Sequence, residues 1–269
     1  MIPVSEARQF VLTACGALTL TPRRVALSDA TGLVLAEAIR AAEPVPPFAN
    51  SAMDGYAVRA VDTVRSPVRL RVVGSVMAGD EATTFVSAGE SVRIMTGAPL
   101  PPGADAVCMI EHTRVEAGGS IVIVAESLTP GTNVRNAGDD IEMGQEVFGP
   151  GAYLGPANLG VLASVGVERL LVHPSPTVGI LSTGDELVTT TGALAPGKIR
   201  DANRPALLAR LRADGFGVLD LGITGDDEAA LAALLEKAAF RCDVVVSSGG
   251  ISVGDRDVVK VVLEKLSGG

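Results

Sequence analysis

Three short segments of the 269-residue chain combine glycines, hydroxyls and carboxylates. They are Ser182-Thr183-Gly184-Asp185-Glu186, Gly222-Ile223-Thr224-Gly225-Asp226-Asp227 and the longer run Ser247-Ser248-Gly249-Gly250-Ile251-Ser252-Val253-Gly254-Asp255-Arg256-Asp257. Glycine has no Cβ and tolerates positive φ, so Ser247–Gly250 lets backbone N–H groups approach an anion closely. A helix beginning near Asp257 adds the positive end of its dipole. Carboxylates beside a phosphate repel it unless a hard cation lies between them, and oxygen ligands on loops suit Mg2+. The expected ligand is therefore anionic, phosphorylated and held with Mg2+. Each residue also has an ordinary role available. Asp226 and Asp227 can cap a helix, Gly249-Gly250 can be a plain turn, and Lys260, one helical turn beyond Asp257, can be a solvated lysine. The coincidence of three such segments favours the functional reading over any one of them alone.

Alternating elements place these segments. Val178–Ser182, Gly217–Leu221 and Asp243–Ser247 read as strands. Asn203–Ala213, with Pro205 in its first turn, Asp226–Ala239 and Asp257–Leu266 read as helices. That alternation predicts an open parallel sheet with helices on both faces. Ligands bind outside the C-terminal strand ends of such a sheet, so all three segments should open on one edge. Upstream, Ser5–Leu18 and Ala30–Ile39 read as helices, and Pro44-Val45-Pro46-Pro47 as a stiff extended linker. Val68–Val73, Ser91–Met95, Ala106–Ile110 and Ser120–Val124 are short and rich in Val and Ile, the pattern of a small all-β domain. Pro156–Val165 suits a helix and Gly166–Val172 a strand, which can return to complete the N-terminal domain. The expected division is 1–44 and 137–173 for a split N-terminal domain, 45–136 for the inserted β domain, and 174–269 for an α/β domain. Two polar segments, Asn50–Tyr56 and Arg135–Asp140, read as linkers, the first not built as a core strand.

Composition narrows the function classes. A net charge of −9, a pI near 4.8 and the absence of Trp argue against nucleic acid, which needs a basic field and stacking platforms. Cys15, Cys108 and Cys242 are far apart, and His112 and His173 do not cluster with them. That pattern excludes a structural zinc site or a disulfide framework, and leaves reduced thiols in a cytoplasmic protein. Cys242, just before a strand, reads as buried. Neither histidine is given a catalytic role. The apolar stretch Phe10–Leu20 is too short for a membrane span and lacks a basic leader, so no membrane partner is expected.

The run Pro46-Pro47-Phe48-Ala49-Asn50-Ser51-Ala52-Met53-Asp54-Gly55-Tyr56-Ala57-Val58 resembles the most characteristic motif of the molybdopterin molybdenumtransferases, shared with the C-terminal domain of gephyrin. Further similar runs are Arg93–Pro99, Gly138–Ile141, Leu181–Leu187, Ile199–Arg204 and Ser247–Gly254, in family order along nearly the whole chain. The resemblance implies a multidomain α+β and α/β protein: a split N-terminal domain with an inserted small β domain, then an open parallel sheet domain of molybdopterin-binding type. It implies a homodimer, and insertion of molybdate into adenylylated molybdopterin, with Mg2+ and release of AMP; the molybdopterin adenylyltransferase is a candidate partner. Carried over residue by residue, the functional acids fall on Asp54, Asp140, Glu186, Asp226 and Asp257, with Lys260 beside them. Glu186 and Asp226 are the expected metal ligands. Thr96, Thr183, Gly184, Asp185, Ser247, Ser248, Gly249, Gly250 and Ser252 are the expected substrate contacts. Asp54 and Asp140 would act from the partner protomer. One departure stands out: the family continues past the last helix with a basic loop, further strands and a small β domain. A sheet ending at three strands should leave a bare edge and uncovered apolar surface. The rival readings are a gephyrin-like dimeric scaffold without enzymatic activity, an inactive fragment of the enzyme, and a molybdopterin adenylyltransferase built on the same sheet domain.

Overall fold

The computed structural model describes residues 2–249 and 258–267. Helix α1 spans Val4–Gly16 and buries none of its residues. Strands β1 (Arg23–Ala26) and β2 (Val34–Leu35) follow. The helix expected over Ala30–Ile39 does not form. Gly32 takes φ +79° and donates its N–H to Leu154 O at 2.9 Å. Val34 bridges Tyr153, and the fully buried Leu35 pairs with Val172. A positive-φ glycine and β-branched neighbours with a waiting strand partner outweigh the helical spacing.

The chain divides into two compact units, one of 1–36, 153–155 and 170–269, the other of 37–152 and 156–169. The second unit contains β3 (Ile39–Arg40), β4 (Asn50–Ser51), β5 (Gly55–Val58), β6 (Val68–Val76), β7 (Glu90–Ile94), β8 (Ala106–Met109), β9 (Thr113–Glu116), β10 (Ile121–Val124), β11 (Val134–Arg135), β12 (Glu146–Phe148) and helix α2 (Pro156–Ser164). Six strands form its main sheet in the order β8-β5-β7-β6-β10-β9. All neighbours run antiparallel except β6 and β7. Cores lie on both faces. Tyr56 and Val58 pack with Leu70, Cys108 and Val122, while Ala57 packs with Val86, Val92 and Val107.

The segment Asn50–Tyr56, expected to be a polar linker, instead supplies β4 and the start of β5, and every residue of β5 is buried. Its glycine misled because it serves close strand approach and not a turn. A Cβ on Gly55 would stand 1.9 Å from the Cys108 carbonyl oxygen. The proline-rich run is also paired, since Val45 donates to and accepts from Ile141.

In the first unit β13 (Arg169–His173) lies between β1 and β2. Then come β14 (Thr177–Thr183), β15 (Leu187–Val188), β16 (Ile199–Arg200), α3 (Asn203–Ala213), β17 (Gly217–Thr224), α4 (Glu228–Ala239), β18 (Val244–Ser248) and α5 (Val258–Ser267). The sheet has the order β17-β14-β18 and is parallel throughout. Leu207, Leu208 and Leu211 of α3 pack on one face against Val178, Ile180 and Val244. On the other face, Leu231 of α4 and Val259 and Val262 of α5 pack against Leu181 and Leu221. Among the described residues no strand pairs with the outer side of β18, and Val246 on it is 36% exposed. Cys242, expected to be buried, is partly exposed. It lies where Gly179 leaves room, since a Cβ there would stand 2.8 Å from its sulfur.

Candidate functional site

The parallel register aligns the strand ends: Thr183 is level with Thr224, and Ser182 with Ser248. The three loops therefore leave one edge, as expected. Glycines set their spacing. Gly249 takes φ +99°, and a Cβ on it would stand 2.4 Å from the Thr183 carbonyl oxygen. Gly184, at φ +143°, has the Glu186 carboxylate where a Cβ would be, 2.5 Å from Oε2. Gly225 makes the same room for Asp185, whose Oδ1 accepts the Asp226 N–H at 3.2 Å. No side chain other than hydrogen fits these positions without displacing its neighbours.

A cavity of about 280 Å³ opens at this edge, lined by Thr183, Glu186, Arg200, Asp201, Asn203 and Ser248 among others. Thr183 is 5% exposed and its Oγ1 has no hydrogen-bond partner among the described residues. A buried hydroxyl left unpaired is costly, so its place on a cavity wall points to a ligand. The acids here differ sharply. Asp201 accepts from Ser182 Oγ (3.1 Å), Arg204 N (3.2 Å) and Arg204 Nε (2.8 Å). Arg204 also grips both oxygens of Asp220 at 2.5 and 2.6 Å. Burial would raise the Asp201 carboxyl, but hydrogen bonds from Arg204 and Ser182 outweigh it and hold it below the ordinary value. Asp220 shows the same balance, with burial opposed by Arg204 and the Gly222 N–H. Asp227 caps α4, accepting the N–H groups of Ala229 and Ala230. The helix therefore begins at Glu228, and not at Asp226. Glu186 and Asp226 accept no side-chain hydrogen bond or ion pair among the described residues.

In the other unit Asp54 and Thr96, 42 positions apart, are directly bonded. Asp54 Oδ1 accepts the Thr96 N–H at 2.8 Å and the Thr96 hydroxyl at 2.7 Å. These two bonds, the backbone one first, with a lesser contribution from Arg93, hold the Asp54 carboxyl below its ordinary value. Asp140 donates its N–H to Val45 O, while its neighbour Asp139 takes the Asn136 N–H and closes the turn. The expected residues thus fall into two sets. Asp54, Thr96 and Asp140 lie in one unit; Thr183, Gly184, Asp185, Glu186, Asp226, Ser247, Ser248, Gly249 and Lys260 lie in the other. Lys260 is on α5, with Glu264 Oε1 at 3.9 Å. Gly250, Ser252 and Asp257 lie outside the described residues.

Sequence reasoning assigned no role to two residues that the structure brings to the cavity. Asp201 anchors Arg204, and Asn203 Nδ2 donates to Ser248 Oγ at 2.8 Å. The signal was present in Ile199–Arg204, which resembled the family but stood apart from any strand end. Its place follows from the short β15–β16 ladder. His112 pairs with Glu126 at 2.6 Å, and His173 lies 3.4 Å from the Leu20 carbonyl. Among the described residues no three His, Cys, Asp or Glu side chains gather to hold a metal unaided. No described helix is long and apolar enough to cross a membrane.

Comparison with known proteins gives a consistent result. Residues 2–166 match the family model for the MoeA N-terminal region (domain I and II), and residues 179–269 match that of a probable molybdopterin binding domain. Over 266 residues the chain is 39% identical to the molybdopterin molybdenumtransferase of Haemophilus influenzae, a match covering 99% of this chain and 65% of that protein. It is 39% identical over 243 residues to molybdopterin molybdenumtransferase 2 of Mycobacterium tuberculosis, covering 89% of this chain and 60% of the relative. A crystal structure of a molybdopterin biosynthesis MoeA protein from Pyrococcus horikoshii superposes with a TM-score of 0.77 at 36% identity, covering 99% of this chain and 67% of that one. The chain thus spans about two thirds of the length of the proteins it resembles, 65% and 60% of the two curated relatives.

Proposed function

The chain belongs to the MoeA family of molybdopterin molybdenumtransferases, and on that premise we propose that it acts in molybdenum cofactor biosynthesis by inserting molybdate into adenylylated molybdopterin, with Mg2+, releasing AMP. One observation carries the reading: a buried, unpaired Thr183 hydroxyl and the Ser248–Gly249 loop wall a cavity beside a carboxylate, Glu186, that makes no other bond among the described residues. A donor wall suits phosphate oxygens. A lone carboxylate beside it suits a cation shared between protein and phosphate, since Mg2+ is commonly held by one or two carboxylates and completed by substrate phosphates and water.

Carboxylate oxygens suit that ion: Glu186 on the cavity wall and Asp226 from the neighbouring strand-end loop are the ligands we propose, and it would neutralise charge developing on the phosphoanhydride oxygens. The chain's own residues do the rest. Thr183, Ser248 and the Gly249 backbone orient the pterin phosphate, and the Arg204–Asp201 clamp keeps the strand ends from shifting. Attack of water on the phosphoanhydride would release AMP and leave the pterin monophosphate, and molybdate would exchange oxygen, lost as water, for the two dithiolene sulfurs. Asp54, fixed by Thr96, and Asp140 serve the same chemistry from the partner protomer of a homodimer. The reading also includes a cytoplasmic setting and a hand-over of substrate from the molybdopterin adenylyltransferase.

The test is AMP release by the 269-residue chain given adenylylated molybdopterin, Mg2+ and molybdate, with Asp226→Asn alongside. Release in the wild type and at least about a hundred-fold less in the variant is expected for loss of a charge-stabilising group. Equal release by both would remove Asp226 from the chemistry. No release by a folded wild-type chain would overturn the reading for this chain.

A further inference from the structure

We propose that Asn203 is a positioning residue that sets the hydrogen-bond polarity of the strand-end cavity, committing Ser248 to donate, beside Thr183, to an acceptor-only group of the phosphate monoester class. The inference rests on the phosphorylated-ligand reading above and adds to it the residue that selects that chemistry.

A serine hydroxyl has one proton and two lone pairs, so it adapts to either donor or acceptor neighbours unless one side is occupied. Asn203 Nδ2 occupies that side by donating to Ser248 Oγ at 2.8 Å. The Ser248 proton must then go elsewhere, and among the described residues no acceptor takes it. Asp201, the buried acceptor on the same wall, is already engaged by Ser182 and by two donors of Arg204. Beside Ser248, the buried Thr183 Oγ1 has no partner among the described residues and can turn its proton to the same acceptor. Gly249 is packed so closely on Thr183 that a Cβ would meet both its carbonyl oxygen and its hydroxyl, at 2.4 and 3.1 Å.

The wall's cation, Arg200, is held in place by two carbonyls and adds positive charge beside these hydroxyls. Arg200 donates to the carbonyls of Thr190 and Gly192, at 3.2 Å from Nε and 2.7 Å from Nη2. What Asn203 directs away from itself is therefore the Ser248 proton, with the unpartnered Thr183 hydroxyl free to join it. A phosphate dianion, which offers only acceptors, satisfies both, whereas a ligand presenting only N–H or O–H groups there would leave the Ser248 proton without an acceptor.

A double-mutant cycle on the full chain tests this, with molybdopterin and inorganic phosphate as probes. Asn203→Ala should weaken molybdopterin binding about three- to ten-fold, the scale of one lost orienting hydrogen bond. Ser248→Ala should weaken it at least as much, and the double variant should be no weaker than Ser248→Ala alone, because Asn203 acts through that hydroxyl. A purely structural role for Asn203 would not give this coupling. It would lower the thermal midpoint, which should stay unchanged, and Asn203→Ser gives a second variant that keeps a short polar side chain at the helix start. Additive losses, or wild-type affinity in Asn203→Ala, would overturn the inference and leave the proposed function standing. Binding of inorganic phosphate with the same coupling, but no binding of molybdopterin, would keep the inference and sink the proposed substrate. A folded wild-type chain that binds neither probe would sink both.

Discussion

Asp54 and the strand-end acids belong to different units, and the two regions prepare their carboxylates in opposite ways. Asp54 is a finished acceptor. It sits at the mouth of the buried strand β5, and one oxygen receives both the backbone and the hydroxyl of Thr96. At the parallel sheet Asp201 and Asp220 are fixed by Arg204, while the side chains of Glu186 and Asp226 are left without such bonds among the described residues. A carboxylate meant to meet a cation gains from being uncommitted. One meant to hold a fixed geometry gains from being bonded on its far side. The same residue type thus serves two purposes, and neighbouring contacts separate them better than sequence does.

The strongest way to break this contrast is to remove the clamp. In Arg204→Ala the Asp201 carboxylate, 2% exposed, loses its charged partner, and the chain should lose about 3 kcal/mol of stability. Thermal and urea unfolding followed by circular dichroism would measure it, and a loss within error of zero would show that the clamp does not matter. The same pair carries a pH signature. Folded Asp201 and Asp220 titrate below the usual 3.8, so their stabilising contribution is complete above that value. It is lost as pH falls below 3.8 through the folded values. Stability should decline in that window for the wild type, and less steeply for Arg204→Ala.

A smaller effect separates two adjacent acids. Asp227→Ala should cost about 1 kcal/mol, because the side chain caps α4. Asp226→Ala should leave stability unchanged while reducing AMP release. If both variants melt alike, the division between capping acid and site acid fails. The gentlest test concerns Thr96→Val, which removes the hydroxyl but keeps the backbone donor. The Asp54 carboxyl, read by NMR titration, should move up toward 3.8 without reaching it. An unmoved value would mean that the backbone bond alone holds it.

Much of the parallel-sheet unit was legible beforehand. Strands and helices there alternate at regular spacing, and each has a continuous apolar run of its own, so periodicity located β14, α3, β17, α4 and β18 to within a few residues. Reading failed where partners are distant. Ala30–Ile39 has helical spacing, but β13, over a hundred residues later, claims Val34 and Leu35 as strand. Asn50–Tyr56 has the composition of a turn, yet the Cys108 backbone across the sheet needs the space Gly55 provides. Such long-range claims leave no local trace.

The sequence by itself determined the family, the order of elements in the parallel sheet and the residue types at its strand ends, because motifs and hydrophobic periods are local. Only the tertiary structure decided which acids are engaged and which are free to act. It joined Asp54 to Thr96 across 42 positions and brought Asn203 to Ser248 across 45. It also gave Asp227 the helix cap and spared Asp226. Hydrogen bonding is directional and short-ranged, so the role of a carboxylate is set by the few ångströms around it, and those are fixed only when the chain has folded.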